Sequence, residues 1–177
     1  MSLNKVKEFH EKFDHPINNV KDNIPLGNRK LRLKLLFEEI QELSQAMDTE
    51  LTFKELCENV ISESKSTLVD GDNVDKVEEL DALCDIDYVL KGAILSLGHS
   101  ENFDKAFDDV HSSNMTKLCS NMEEVNETID YYVNKRDMDK DNIIYSKVGS
   151  EYIINRKSDM KILKNVNYKS VKLEKYI

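Results

Sequence analysis

The chain has 177 residues, of which 34 are Asp or Glu and 25 are Lys or Arg, so its formal net charge is −9. This length suits one domain with a small appendage and is ample for a hydrophobic core. The negative charge argues against DNA or RNA as a partner, because their phosphate backbones attract basic surfaces. A small anionic ligand stays compatible with this charge if metal ions supply the positive charge.

The cysteines Cys57, Cys84 and Cys119 are widely spaced and form no CxxC pair. This spacing favours free thiols in a reducing cytoplasm over a disulfide framework or a zinc site. The first 15 residues are charged throughout, unlike a signal peptide. No segment approaches the roughly 20 apolar residues of a membrane span. The sequence therefore predicts a soluble, cytoplasmic protein with no membrane partner.

The chain begins with a short helix and a loop. The helix is predicted over residues 3–13, before His15-Pro16, from apolar residues at helical spacing: Leu3, Val6, Phe9 and Phe13. Residues 17–28 contain Pro25 and Gly27 and are predicted to form an ordered loop.

The central element is residues 31–47, LRLKLLFEEIQELSQAM. Its apolar residues have the spacing of an amphipathic helix with one buried face: Leu36, Ile40, Leu43 and Met47. Glu38, Glu39 and Glu42 fall within roughly a 100° arc beside that face. Carboxylates so close together repel one another, and Mg²⁺, which prefers oxygen ligands, is the cation that best compensates them. The alternative is that this Glu-Glu-x-x-Glu pattern is a solvated helix face.

A second acidic helix is predicted over residues 74–97, closed by Gly98. It follows a third helix that begins at the capping residue Thr52 and a polar loop over residues 62–73. The helix is almost wholly apolar after its first turns, so it is predicted to be buried on most sides. An ionised Asp85 is costly there without either a metal ion or a buried Lys or Arg. Asp81 shares its face at i, i+4, whereas Asp87 is expected to make a structural hydrogen bond or to face solvent.

Further helices are predicted over residues 102–118 and 123–133. Asn114 and Lys117 lie three residues apart at the end of the first of these. One interpretation is a phosphate contact, with Asn as donor and Lys as point charge. The other is that Lys117 simply complements the helix dipole. The spacing leaves both open.

From residue 137 the pattern changes to short strands. NIIYSKV, GSEYIIN and RKSDMKILK are joined by turn residues at Gly149-Ser150 and at 157–159. The last residues are predicted to form a strand or a turn of helix. The lysines of this region either contact phosphate or solvate a small sheet. The sequence thus predicts an all-α domain over residues 1–136 and a β-rich extension over residues 137–177.

Taken in order, these segments resemble the all-α nucleoside triphosphate pyrophosphohydrolases, the MazG-like and phosphoribosyl-ATP pyrophosphohydrolase-like group. The resemblance is carried by VKEFHEKFDHPI, LRLKLLFEEIQEL, DALCDIDYVLKGAILSLG and FDDVHSSNMTKL. It implies helix pairs from different subunits that form four-helix bundles. A homodimer or homotetramer is therefore expected.

The resemblance also implies Mg²⁺ ligation by Glu38, Glu39, Glu42 and Asp85. Ala82 stands where the family commonly has the Glu of an ExxD motif, so whether Asp81 replaces that ligand stays open. Asn114 and Lys117 match family positions near the phosphates. Tyr88 either lines the base or sugar pocket or packs in the core.

The implied reaction is Mg²⁺-dependent hydrolysis of an NTP or dNTP to the monophosphate and pyrophosphate. Glu38 or Glu39 would accept the proton of the attacking water. A second interpretation is hydrolysis of phosphoribosyl-ATP in histidine biosynthesis, and a third is a non-catalytic helical assembly protein. Base and sugar preference, the number of metal ions and the choice of dimer or tetramer stay open.

Overall fold

The computed structural model describes residues 2–18, 24–49, 53–58 and 74–177. Within these ranges the chain forms five full α-helices: α1 (Ser2–Lys12), α2 (Leu26–Ala46), α3 (Lys76–Ser96), α4 (Phe103–Met115) and α5 (Met122–Arg136). Residues 53–58 are also helical. A hairpin of β1 (Ile143–Val148) and β2 (Glu151–Arg156) lies between short 3₁₀ turns at Lys140–Asn142 and Glu174–Tyr176. The predicted class, all-α with a small C-terminal β appendage, is confirmed.

Two compact units make up the chain. One comprises Asn18–Leu83 and contains α2 and the first turns of α3. The other comprises Met1–Ile17 and Cys84–Ile177, and so joins α1 to α4, α5 and the hairpin. The domain boundary predicted after residue 136 stays a prediction.

In the larger unit, α1 packs against α4. Lys5 forms an ion pair with Asp108 across the two helices. Phe9 and Phe13 stack with their ring centroids 4.1 Å apart, and Phe13 is buried. The helix ends where Asp14 adopts a left-handed conformation with φ of 52°, which Asp tolerates better than most residues. The first predicted helix is confirmed.

The hairpin forms the main core of the larger unit together with α5. Gly149 begins its two-residue turn with φ of +60°, as a type II′ turn requires, and Val148 pairs with Glu151. The buried residues of this core come from α5, both strands and the segments beside β2: Cys119, Val125, Ile143, Ile154 and Leu163. A second cluster joins the end of α1 to β2: Phe13, Leu118 and Ile153, with Phe9, Met115, Val148 and Ile162 packed against them.

Several predicted boundaries are corrected by the structure. α2 begins at Leu26, inside the predicted loop, because Pro25 occupies the N-cap position and the carbonyl of Pro25 accepts the first helical hydrogen bonds. α4 ends at Met115, three residues early, in a tight turn at Thr116. The third predicted strand is reduced to an isolated bridge between Asn155 and Ile162. The last residues form a 3₁₀ turn, one of the two predicted outcomes.

The predicted burial of α2 and α3 is wrong for the chain by itself. The α2 face predicted to be buried is 37–45% exposed: Leu36, Ile40, Leu43 and Met47. No residue of α3 is buried. Helices this apolar need a partner surface, and within the described residues the chain provides too little of one.

α3 ends at Ser96, and Gly98 closes it as predicted, with a φ of +82°. The His99 amide donates to the Ile94 carbonyl at 3.0 Å, which is the closing bond of a Schellman motif. The predicted cap at Thr52 and the loop over residues 62–73 lie outside the described residues. None of the helices in the described part of the chain combines the length and apolar content needed to cross a bilayer.

Candidate active site

α2 carries three exposed glutamates at adjacent positions of its surface. Glu38 and Glu42 are four residues apart and Glu39 and Glu42 three, so the three side chains share one side of the helix. Lys34 Nζ lies 3.4 Å from Glu38 Oε1 across one turn. This ion pair joins two exposed side chains and contributes little to stability. Among the described residues, Glu39 and Glu42 form no ion pair.

α3 carries Asp81 and Asp85 one turn apart, and both side chains are exposed. The predicted burial of Asp85 is therefore wrong for the chain by itself. Asp87, predicted to make a structural hydrogen bond or to face solvent, is exposed and forms an ion pair with Lys91. Tyr88, the candidate pocket residue, is 80% exposed and does not pack in the core of this chain.

The structure does not by itself assemble a metal site from these carboxylates. Among residues 2–18, 24–49, 53–58 and 74–177, no group of three or more His, Cys, Asp and Glu side chains could hold a metal ion. The chemistry of the donors does fit Mg²⁺, because all five candidates are carboxylates carried on helices. Metal ligation by Glu38, Glu39, Glu42, Asp81 and Asp85 stays a prediction.

Asn114 and Lys117 lie in the larger unit, at the end of α4. The Lys117 amide donates to the Asn114 carbonyl at 3.1 Å, so a single turn holds both residues. The Lys117 ammonium lies over the Phe9 ring, 5.9 Å from its centroid. In the described part of the chain it has no carboxylate partner. Burial lowers the pKa of Lys117, and repulsion from Lys164 and Lys161 lowers it further, against an opposing effect of Tyr168.

A set of polar contacts from the C-terminal extension holds this end of α4. Ser113 is buried, and its Oγ lies 2.9 Å from the Tyr168 hydroxyl and 2.7 Å from the Lys169 carbonyl oxygen. The Lys169 amide donates to Thr116 Oγ1 at 3.0 Å. These contacts flank Asn114 on both sides. Sequence reasoning missed Tyr168, because a polar contact over 55 residues leaves no periodic signal.

One family model matches the chain. It is described as phosphoribosyl-ATP pyrophosphohydrolase and covers residues 6–114, more than half of the chain. The chain belongs to this family. No curated protein and no solved structure shows significant similarity to the chain.

The match confirms the predicted resemblance and gives the class of reaction. The protein is a pyrophosphohydrolase of a family that acts on nucleotide-like substrates. The matched range includes α2 and α3 with all five candidate carboxylates, as well as Tyr88 and Asn114. It ends before Lys117 and before the whole extension over residues 137–177.

Proposed function

We propose that the protein is a Mg²⁺-dependent nucleoside triphosphate pyrophosphohydrolase that converts an NTP or dNTP to the monophosphate and pyrophosphate. The observation that carries the proposal is the family match across both acidic helices. An acidic chain of net charge −9 needs cations to hold a triphosphate, and the exposed carboxylates of α2 and α3 are suited to bind them.

In this proposal Glu38, Glu42 and Asp85 hold Mg²⁺, with Glu39 and Asp81 completing the set of ligands. The bound ion would neutralise the phosphate charges and acidify a water molecule. The residues of the chain then have three tasks: to hold the phosphates, to orient the nucleotide and to accept a proton. Asn114 and Lys117 would contact the phosphates, and Tyr88 the base or sugar.

The chemical step is hydrolysis at the α-phosphorus. The water oxygen forms a bond to that phosphorus, the bond to the bridging oxygen breaks, and pyrophosphate leaves with the electron pair. The proton of the water passes to a carboxylate. Glu39 is the better candidate for this base, because the proposal places Glu38 among the three main Mg²⁺ ligands and Glu39 only among the residues that complete the set.

We also propose that the active protein is a homodimer or homotetramer. α2 has an exposed apolar face, and α3 also carries exposed apolar side chains, among them Leu83, Ile86, Val89 and Leu90. Apolar helix faces of this extent are rarely left in water and mark interfaces between subunits.

Free thiols at Cys57, Cys84 and Cys119 support a cytoplasmic location.

Phosphoribosyl-ATP is the second candidate substrate, because the description of the matching family names it. We favour nucleoside triphosphates because of the added extension over residues 137–177, which lies beyond the family match. A single experiment separates the two: the purified protein is incubated with Mg²⁺ and each common NTP, dNTP and phosphoribosyl-ATP, and products are identified by ³¹P NMR.

We expect pyrophosphate and a nucleoside monophosphate from at least one NTP or dNTP, and none after EDTA is added. Turnover of phosphoribosyl-ATP alone would replace the proposed substrate with the second candidate. Absence of turnover on every compound, by folded protein with Mg²⁺ present, would favour the non-catalytic assembly protein.

A further inference from the structure

Three lysines lie on segments that pack beside the end of α4. They are Lys117, which follows α4, and Lys161 and Lys164 of the C-terminal extension. None of the three forms an ion pair with any described residue. Asp159, the acid nearest to Lys161 in sequence, forms an ion pair with Arg156, whose Nε lies 2.9 Å from Asp159 Oδ1, and Asp159 also accepts a hydrogen bond from the Lys161 amide at 3.1 Å.

Packing of the chain places the segments that carry these lysines beside one another. Lys117 lies over the Phe9 ring, and Ile162 packs against the same hydrophobic cluster as Phe9. Leu163 is buried and its amide donates to the Ile154 carbonyl at 2.8 Å, which anchors the segment between the two lysines of the extension. The segment that carries Lys161 and Lys164 is thus held against the hydrophobic cluster on which Lys117 rests.

Tyr168 connects the lysines to α4. Lys164 Nζ lies 4.5 Å from the centroid of the Tyr168 ring, and the Tyr168 hydroxyl bonds to Ser113 Oγ in the last turn of α4. Lys164 is thereby positioned by an aromatic ring that is itself fixed. The mutual repulsion of the lysines, which contributes to the lowered pKa of Lys117, is relieved when an anion binds between them.

We propose that Lys161 and Lys164, together with Lys117, bind the phosphate chain of the nucleotide. This inference rests on the proposed function, since it assigns the lysines to the same substrate. Three ammonium groups that form no ion pair with any described residue, on segments packed against one hydrophobic cluster, offer a site for a highly charged anion in a chain of net charge −9. The two extension lysines lie outside the family match, which ends at residue 114.

The test uses the full chain and two double variants. K161A/K164A removes the two extension lysines, and K147A/K157A removes two other lysines of the same extension as a control with the same change in charge. Affinity for inorganic triphosphate is measured by calorimetry in EDTA, so that no metal contributes. KM and kcat for the preferred nucleotide are then measured with Mg²⁺.

We expect K161A/K164A to weaken triphosphate binding and to raise KM by about tenfold or more, since a hydrogen bond to a charged group contributes on the order of a tenfold change in affinity. Its kcat should stay near wild type, because these contacts hold substrate and transition state alike. The control should behave as wild type. All side chains replaced are at the surface or half-buried, and thermal melts establish that each variant is folded.

Failure of this inference is distinguishable from failure of the proposed function. If wild type hydrolyses nucleotides but K161A/K164A matches the control in triphosphate affinity and KM, the lysines do not bind phosphate and the proposed function stands. If no nucleotide is hydrolysed but triphosphate binding is lost only in K161A/K164A, the phosphate site stands and the proposed function fails.

Discussion

The hydroxyl of Tyr168 lies 2.9 Å from Oγ of Ser113, so a residue of the C-terminal extension holds the last turn of α4. Tyr168→Phe keeps the ring beneath Lys164 but removes this bond. We expect the free energy of unfolding to fall by about 1 kcal/mol, the usual net contribution of one hydrogen bond. We also expect KM for nucleotide to rise, because Asn114 follows Ser113 directly. Urea unfolding and steady-state kinetics measure the two effects, and an unchanged KM would separate Tyr168 from substrate binding.

Substitution of Glu42 by Gln tests the role of the acidic face of α2. Removing one ligand of the proposed metal ion should lower kcat on the order of 100-fold or more. The melting temperature without metal should stay at or above that of wild type, because the change relieves repulsion among neighbouring carboxylates.

Glu127→Gln on α5 is the matched control, since Glu127 is also an exposed helical glutamate. It should retain full activity. If Glu42→Gln instead unfolds the protein and Mg²⁺ does not change the stability of wild type, Glu42 has a structural role.

The exposed face of α2 predicts association of the chain with itself. Ile40→Glu combined with Leu43→Glu places two charges on side chains that are 45% and 42% exposed in the single chain. A charge buried in a subunit interface without a partner is costly, so this variant should dissociate to a monomer. Light scattering coupled to size-exclusion chromatography gives the mass of each species.

Ile177→Glu is the control for this experiment, because Ile177 is 95% exposed at the end of the chain. It should keep the wild-type mass. A wild-type protein that is monomeric at micromolar concentration would contradict the predicted oligomer.

The lowered pKa of Lys117 predicts how its contribution to the stability of the fold changes with pH. Its folded-state pKa is lowered mainly by burial, below the usual 10.5, so the unfolded chain binds more protons between the two values. The contribution of Lys117 to stability therefore rises with pH across that window, and its charge destabilises the fold below it. Lys117→Met should raise the melting temperature at pH 7 and weaken triphosphate binding.

The exposed Lys135 supplies the comparison. Lys135→Met should change neither the melting temperature nor triphosphate affinity appreciably. If Lys117→Met lowers stability at pH 7 and leaves triphosphate binding intact, Lys117 has only a packing role over the Phe9 ring.

Much of the helical fold could be predicted from the sequence, because it depends on local signals. The apolar spacing of α2, the glycine after α3 and the Gly149-Ser150 turn each act over a few residues. The burial of α2 and α3 could not be predicted in this way. The apolar pattern of Ile40 or Leu83 indicates that a partner surface is needed, but it does not identify which chain provides that surface.

Prediction of the candidate site was limited in the same way. Helical spacing places Glu38 beside Glu42 and Asp81 beside Asp85, yet whether the two pairs meet depends on packing between elements. The contacts of the extension were missed because each joins distant polar residues, such as Asn165, whose side-chain amide donates to the Leu118 carbonyl. Polar pairs of this kind have no period along the chain.

The number of Mn²⁺ ions bound per chain tests most directly whether carboxylates of α2 and α3 share metal ions, as we propose. Mn²⁺ accepts the same oxygen ligands as Mg²⁺ and is counted by paramagnetic resonance. The comparison includes wild type, Glu42→Gln and Asp85→Asn. Asp87→Asn is the control, because Asp87 lies on the same helix as Asp85 but forms an ion pair with Lys91. We predict that Glu42→Gln and Asp85→Asn each bind at least one ion fewer than wild type, whereas Asp87→Asn binds the full number. Full Mn²⁺ binding by Asp85→Asn, with wild-type affinity, would contradict the claim.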